Sequence, residues 1–175
     1  MAISMNALAS CASGASALPP SPASTTAPVS PTRYESVPTQ FVEANGVRYA
    51  YRRFGMGGDI PLVLFAHFRA SMDNWDPQLL NNLAVERTVI AFNNKGVSSS
   101  GGETPDTVMA MADDSADFIA ALGYSKVDVL GFSIGGAVVQ ELMLLHPTLV
   151  RRAVLAGTGP HGAEGLRERP REWAK

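Results

Sequence analysis

A serine between glycines is the residue of this sequence best suited to covalent chemistry. The run Gly131-Phe132-Ser133-Ile134-Gly135 matches the pattern G-x-S-x-G and lies between a predicted strand and a predicted helix. A serine on so tight a turn needs small neighbours, which Gly131, Gly135 and Gly136 supply. Such a turn lifts the hydroxyl above the sheet, where it can attack an acyl carbon. Ser133 is therefore the predicted nucleophile.

Two backbone amides are predicted to bind the negative charge that this attack would create. The Ile134 N–H lies at the start of a helix, where the helix dipole favours an anion. The second donor should come from the loop after the third strand, which begins His67-Phe68-Arg69-Ala70. The Phe68 N–H is the candidate, so Phe68 and Ile134 form the predicted oxyanion hole.

Two side chains of this loop leave alternatives open. His67 could act as a base, but a histidine here is interpreted first as ordering the loop through a hydrogen bond. Arg69 could bind an acidic group of a substrate or pair with Asp73 or Asp76.

The elements around these residues alternate between strand-like and helix-like segments after Arg33. That alternation predicts an α/β fold, with a mostly parallel sheet and helices on both faces. Asn45-Gly46 is a strong hairpin signal and predicts an antiparallel pair at one edge of the sheet. The predicted strands are 40–43, 47–54, 62–66, 89–92, 127–130 and 151–156. The predicted helices are 77–84, for which Asp76 is the expected N-cap, a helix that Thr107 caps and that extends to Leu122, and 134–145.

Three motifs in this order resemble the α/β-hydrolase superfamily, most of all its esterase-like and haloperoxidase-like members. They are 64–77 (Leu-Phe-Ala-His-Phe-Arg-Ala-Ser-Met-Asp-Asn-Trp-Asp-Pro), 89–97 (Val-Ile-Ala-Phe-Asn-Asn-Lys-Gly-Val) and 131–136. The likeness covers about residues 40–165. It implies a serine hydrolase that cleaves small-molecule esters, or related acyl or C–C bonds, through an acyl-enzyme at Ser133. It also implies no metal and no organic cofactor.

The sequence departs from the family pattern in two loops. The family usually shows Asp-x-x-Gly-x-Gly-x-Ser after the fourth strand, where this chain has Asn93-Asn94-Lys95-Gly96-Val97-Ser98-Ser99-Ser100. The usual glycine after the oxyanion loop is Ala70 here. These departures suggest the hypothesis that the sequences of the loops around the site are under relaxed constraint.

The resemblance also predicts an acid and a histidine after the serine, in the order Ser, Asp/Glu, His. The 42 residues 134–175 contain no Asp. Glu141 lies on the last predicted helix and His146 directly after it, roughly 12 Å and 20 Å along the helix axis from Ser133, because a helix rises about 1.5 Å per residue. Both lead away from the active edge of the sheet, so neither is expected to serve as acid or base. His161 follows the last strand and could approach Ser133 as a surrogate base.

These observations predict only the front half of a hydrolase domain, apparently truncated after the nucleophile. Its acid and histidine would come from a partner, a second chain or a continuation. The alternative is a non-catalytic binding protein or a vestigial fragment. The exposed edge of a last strand would permit self-association.

Composition bounds the remaining possibilities. With 14 basic and 16 acidic residues the net charge is −2, which gives no reason to expect nucleic acid as a partner. No run approaches the roughly 18 apolar residues of a membrane span, so no membrane association is expected. Residues 1–35 are predicted to be a disordered Ala/Ser/Pro-rich tail before a partial domain at 36–175. The single Cys11 fits a cytoplasmic protein, although residues 1–32 would also suit an organellar transit peptide.

Overall fold

One six-stranded sheet organises the chain, and its strands follow the order β1-β2-β4-β3-β5-β6. The computed structural model describes residues 33–160. The strands are β1 Gln40–Ala44, β2 Val47–Gly55, β3 Leu62–Phe65, β4 Thr88–Phe92, β5 Val127–Phe132 and β6 Val150–Ala156. The helices are α1 Pro77–Leu83, α2 Val108–Ala121 and α3 Ile134–Leu145.

The predicted hairpin is present at one edge of the sheet. β1 pairs antiparallel with β2, and Ala44 lies opposite Val47. The two turn residues, Asn45 and Gly46, have φ values of 47° and 75°, as a two-residue hairpin of this twist requires. β2 is antiparallel to β4, whereas β4, β3, β5 and β6 run parallel. The mostly parallel α/β sheet is thus confirmed.

Helices cover both faces of the sheet, which explains why β3 and β4 are buried throughout. Val63 and Phe65 of β3 pack into a cluster with α2 and α3, and Leu64 packs into a second cluster beneath α1. The two clusters sandwich the sheet. Because β3 and β5 are parallel and Phe65 lies opposite Gly131, the two strands end side by side.

A short 3₁₀ helix, Tyr34–Ser36, precedes the hairpin and was not predicted. The Tyr34 side chain is 2% exposed, and its ring centroid lies 5.1 Å from that of Phe54. The core therefore begins ahead of the predicted boundary at residue 36. The rest of the predicted tail, residues 1–32, lies outside the described residues.

The starts of α1 and α2 match the expected caps. Asp76 Oδ1 accepts hydrogen bonds from the backbone N–H groups of Gln78 and Leu79, at 2.7 and 3.4 Å. The Thr107 hydroxyl accepts one from Ala110 N at 3.1 Å. These side chains satisfy donors that have no partner inside a helix.

The strand β6 is exposed along most of its length. Val154 and Leu155 are 55% and 43% exposed, and β5 is its only neighbouring strand among residues 33–160. No helix in this described range has both the length and the apolar character that crossing a membrane requires.

Candidate active site

Ser133 occupies the turn between β5 and α3 in an uncommon backbone conformation. Its φ is 56° and its ψ is −121°. Its N–H donates to the Ala156 carbonyl at 2.9 Å, and its own carbonyl accepts from Gly136 N at 2.9 Å. Non-glycine residues in such sparsely populated regions cost about 1–3 kcal/mol, so they persist only where the surroundings hold them. The turn is therefore fastened to β6 and to the first turn of α3.

The three glycines of the motif have distinct packing reasons. A Cβ on Gly131 would lie 2.5 Å from the Gly135 carbonyl oxygen, and one on Gly135 would lie 2.2 Å from the Phe65 carbonyl oxygen. A Cβ on Gly136 would lie 2.4 Å from Cγ2 of Thr158. The glycines thus let α3 approach β5, the end of β3 and the segment after β6.

A cavity of about 600 Å³ lies beside α3 and includes Ser133. Ile134, Glu141 and Leu144 also line it. Gln140 and Gly159 line the cavity as well, and Gln140 Nε2 donates hydrogen bonds to the carbonyls of Gly136 and Gly159 at 3.2 and 3.1 Å. The rise along α3 alone suggested that Glu141 is remote, yet its side chain borders the same space as the serine.

The loop after β3 folds back on itself beside the Ser133 turn. Ala70 N donates to the His67 carbonyl at 3.1 Å, and Arg69 has a φ of 60°. His67 Nδ1 lies 3.0 Å from the Phe68 carbonyl oxygen. The imidazole also packs edge to face on Phe132, with ring centroids 5.7 Å apart. These contacts fit the interpretation that His67 orders the loop.

The two predicted oxyanion donors border one cavity. Phe68 and Ile134 both line a space of about 340 Å³ between this loop and the start of α3. The contact of Gly135 with the end of β3 holds the two segments together. The structure therefore brings together the backbone positions that the sequence singled out.

The acidic partners suggested for Arg69 are engaged elsewhere. Asp73 Oδ1 lies 2.7 Å from Arg52 Nη1. Asp76 caps α1 through its Oδ1. The exposed Arg69 forms neither of the suggested pairs in residues 33–160.

Neither histidine of the described residues forms a hydrogen bond with the Ser133 hydroxyl. His146 ends α3 at the far side from Ser133, and its Nε2 lies 2.9 Å from Asp113 Oδ1. The His67 ring is within hydrogen-bond distance of the Phe68 carbonyl in its own loop. His161, the suggested surrogate base, lies outside the described residues. Between residues 33 and 160 no group of three His, Cys, Asp or Glu side chains is arranged to hold a metal ion.

Sequence reasoning missed the part played by Asn93, which follows β4. Its side chain is fully buried, and Oδ1 accepts a hydrogen bond from Met72 N at 2.7 Å. Its Nδ2 donates to Ser99 Oγ at 3.2 Å. The only signal in the sequence was the replacement of the family's acidic residue by an amide at this position.

The charged cluster at the other end of β5 is remote from this chemistry. Asp128 is buried at the start of β5, and Arg151 Nε and Nη2 donate to its two oxygens at 2.9 and 2.7 Å. The Arg151 hydrogen bonds lower the pKa of the Asp128 carboxyl, against an opposing effect of burial. Arg87 approaches at 3.4 Å. This cluster ties β5 to β6.

The sheet order and the serine turn define a member of the α/β-hydrolase class. A family model described as alpha/beta hydrolase fold matches residues 60–175. The chain belongs to this family, as the resemblance of its motifs predicted.

Three relatives give the extent of the likeness. The structure of an alpha/beta hydrolase fold protein from Chitinophaga pinensis is 43% identical, with a TM-score of 0.72 over 78% of this chain and 54% of that one. The structure of the esterase RhEst1 from Rhodococcus sp. ECU1013 is 30% identical, with a TM-score of 0.61 over 69% of this chain and 46% of that one. Epoxide hydrolase 3 of Mus musculus is 33% identical over 123 residues, which are 68% of this chain and 33% of the relative. The chain thus spans about a third to a half of the length of these relatives.

Proposed function

We propose that this chain carries the nucleophile half of a serine hydrolase that acts on small-molecule esters or related acyl compounds. The observation that carries the proposal is the backbone of Ser133, held at positive φ where a strand passes into a helix. Strained residues of this kind concentrate at functional sites. Relatives named as an esterase and an epoxide hydrolase support hydrolysis as the general reaction.

In the proposed reaction, Ser133 Oγ attacks the acyl carbon and its proton passes to a general base. The carbonyl oxygen becomes an oxyanion, which accepts hydrogen bonds from the Phe68 and Ile134 amides. Collapse of this intermediate expels the alcohol, which takes up the proton, and leaves an acyl-enzyme that water hydrolyses. An amide donor of this type is worth about 10²- to 10³-fold in rate.

We expect the base to come from outside residues 33–160. The Ser133 hydroxyl has no hydrogen-bond partner in that part of the chain, and the two histidines there have other contacts. His161 or a residue beyond this sequence would take the proton. A serine without a base keeps only the residual rate that binding and oxyanion stabilisation provide.

Within residues 33–160 the Ser133 hydroxyl has no hydrogen-bond partner, and this favours a second candidate function, non-catalytic binding. On this alternative the cavity beside Ser133 would hold a small molecule without turning it over.

We further expect that β6 supports self-association, that the chain does not bind nucleic acid, and that it functions in the cytoplasm.

A fluorophosphonate probe tests the proposal, because an activated serine displaces its fluoride and becomes phosphonylated. We expect slow labelling of the wild-type chain at Ser133, because no base contacts the serine within residues 33–160. Intact-mass and peptide mass spectrometry read the labelling, and Ser133→Ala should remain unlabelled. Ser98→Ala is the matched control, because Ser98 is also a loop serine at positive φ, 51°, and its side chain is exposed. Absence of labelling in folded wild-type protein would reject catalysis by this chain alone and favour the binding alternative.

A further inference from the structure

The backbone of Met72 is held from both sides by residues that are distant in sequence. Its N–H donates to Asn93 Oδ1 at 2.7 Å, and its carbonyl accepts a hydrogen bond from the Tyr34 hydroxyl. Both side chains are buried, Asn93 at 0% and Tyr34 at 2% exposed. Three segments therefore meet here: the start of the domain, the loop after β3 and the loop after β4.

Neighbouring contacts reinforce this point. Arg52 pairs with Asp73 at 2.7 Å, and its guanidinium lies 5.2 Å from the centre of the Tyr34 ring. Ser71 and Asn74 exchange side-chain to backbone hydrogen bonds that cap the 3₁₀ helix Met72–Asn74. We call the contacts of Tyr34, Arg52 and Asn93 with Met72 and Asp73 the loop anchor.

The loop anchor lies four residues after the proposed oxyanion donor, Phe68, in the same loop. The loop leaves the sheet at Phe65, which is fixed in β3, and reaches the anchor at Met72. Phe68 lies midway, and its neighbour Arg69 already adopts a positive φ of 60°. Since both ends of so short a segment are fixed, a shift at Met72 must be absorbed by the peptide units between residues 65 and 72, among which is that of Phe68.

We propose that Asn93 is a positioning residue, which orients the Phe68 amide by holding Met72 N. The proposal rests on the proposed function, because it concerns the oxyanion donor of that reaction. Asn93 touches no reacting atom, and it acts through the loop. Oxyanion donors are effective because they are oriented before the reaction, so a small loss of orientation lowers the rate.

The amide side chain suits this place for a physical reason. Oδ1 accepts from the Met72 N–H while Nδ2 donates to Ser99 Oγ, so both ends of the amide are satisfied. The Asn93 carbonyl accepts from the Ser100 hydroxyl at 2.8 Å. A side chain that accepts at one end and donates at the other thus meets the need of buried polar groups for hydrogen-bond partners.

Two variants separate the positioning contact from simple loss of a buried hydrogen bond. Asn93→Leu removes both side-chain hydrogen bonds, whereas Ser99→Ala removes only the bond to Nδ2 and leaves Met72 N held. Asn93→Asp is the conservative rescue, because a carboxyl oxygen can still accept from Met72 N. Ile119→Ala is the stability control, since Ile119 is fully buried on α2, away from the loop.

The first readout is the second-order rate of Ser133 labelling by the fluorophosphonate, measured on the full chain well below each variant's melting temperature. We expect Asn93→Leu to slow labelling by about tenfold or more, as partial loss of one donor would. Ser99→Ala, Asn93→Asp and Ile119→Ala should stay within about threefold of the wild type, a range well inside the effect of losing a donor.

The second readout is amide hydrogen exchange followed by mass spectrometry. Peptides covering 66–75 should exchange faster in Asn93→Leu than in the wild type, and at the wild-type rate in Ser99→Ala. The exchange rate of peptides covering the Ser133 turn should be the same in all three proteins. This readout does not need a reactive serine. If the wild type is not labelled, the proposed function fails, and exchange alone decides whether Asn93 anchors the loop.

Two results would overturn the proposal. One is a folded Asn93→Leu variant that is labelled at the wild-type rate, even if its loop exchanges faster, because the role would then be structural only. The other is an Asn93→Asp variant as slow as Asn93→Leu. Should Asn93→Leu fail to fold, Tyr34→Phe releases Met72 from its carbonyl side, and the same two readouts apply to it.

Discussion

At the scale of single residues, the backbone of Ser133 depends on the absence of side chains around it. The turn brings α3 against the carboxyl ends of β5 and β3, and Gly131 and Gly135 lie at the two contacts. The hydrogen bond from Ser133 N to the Ala156 carbonyl adds a third point of support. Positive φ at the serine is thus maintained by its neighbours.

Gly135→Ala tests this dependence. The new Cβ would lie 2.2 Å from the Phe65 carbonyl oxygen, so α3 or the end of β3 must move. We expect the free energy of unfolding to fall by about 1–3 kcal/mol, as for other overpacked sites, and Ser133 labelling to be lost. Urea denaturation and the fluorophosphonate assay measure the two effects.

Gly101→Ala is the matched control for that substitution. A Cβ at Gly101 meets nothing closer than 3.7 Å, and its φ is not in the left-handed region. It should leave labelling unchanged. Equal loss of labelling in the two variants would show that the contact with Phe65 is not what holds the turn.

The sequence identified the residues of this turn but not what fixes the loop opposite. G-x-S-x-G between a strand and a helix predicts the turn, because both the spacing and the small residues are local. Asn93 and Met72 are 21 positions apart, and Tyr34 and Met72 are 38 apart. No local pattern marks such hydrogen bonds. The roles of Ser133, Phe68 and Ile134 in catalysis stay predictions.

At the scale of elements, periodic segments were predictable and very short ones were not. The predicted limits of α3 and of its partner strands agree with the structure to within two residues. The 3₁₀ helices Tyr34–Ser36 and Met72–Asn74 are too short to show a hydrophobic period. Both nonetheless contribute to the loop anchor, so the missed elements are the ones that adjoin the proposed site.

The tie between β5 and β6 gives a pH-dependent contribution to stability. Arg151 hydrogen bonds hold the pKa of Asp128 below its ordinary value of about 3.9. The stabilisation is therefore fully present above the unfolded-state pKa and is lost as the pH falls through the lower folded-state pKa. We expect Asp128→Asn to lower the free energy of unfolding by about 2 kcal/mol at pH 7, as for hydrogen bonds to a charged group.

Chemical denaturation at a series of pH values checks this expectation. The difference between wild type and Asp128→Asn should shrink as the pH falls below about 4. Asp59→Asn, at an exposed carboxylate, should leave stability nearly unchanged. A difference that stays constant down to pH 2 would mean that the Arg151 pair does not stabilise the fold.

At the scale of the whole molecule, the two edges of the sheet differ. The β1 edge is the outer side of a hairpin, whereas β6 exposes side chains on both of its faces. Strands of this kind pair readily with another chain, because their backbone groups at the edge have no partner. This asymmetry supports the expectation of self-association through β6.

Leu155→Lys tests that expectation, because a charged side chain on an edge strand opposes pairing. We expect sedimentation velocity to show dimers or larger species of the wild-type chain at tens of micromolar concentration, as for edge strands left open. The variant should shift the distribution toward monomer. Met56→Lys is the control, since Met56 is 56% exposed and follows β2, which three strands separate from β6 in the sheet. A wild type that is monomeric throughout would refute the expectation.

The sheet order also has a consequence for how the chain acquires its structure during synthesis. β3 is wholly apolar and buried, and both of its neighbours, β4 and β5, come later in the sequence. While a ribosome makes the chain from its amino terminus, one side of β3 stays unpaired until residues 88–92 have been made. The other side stays unpaired until residues 127–132 have been made. Unpaired apolar strands of this kind are prone to aggregation. The strand at the centre of the finished sheet is thus the one most in need of protection on the nascent chain.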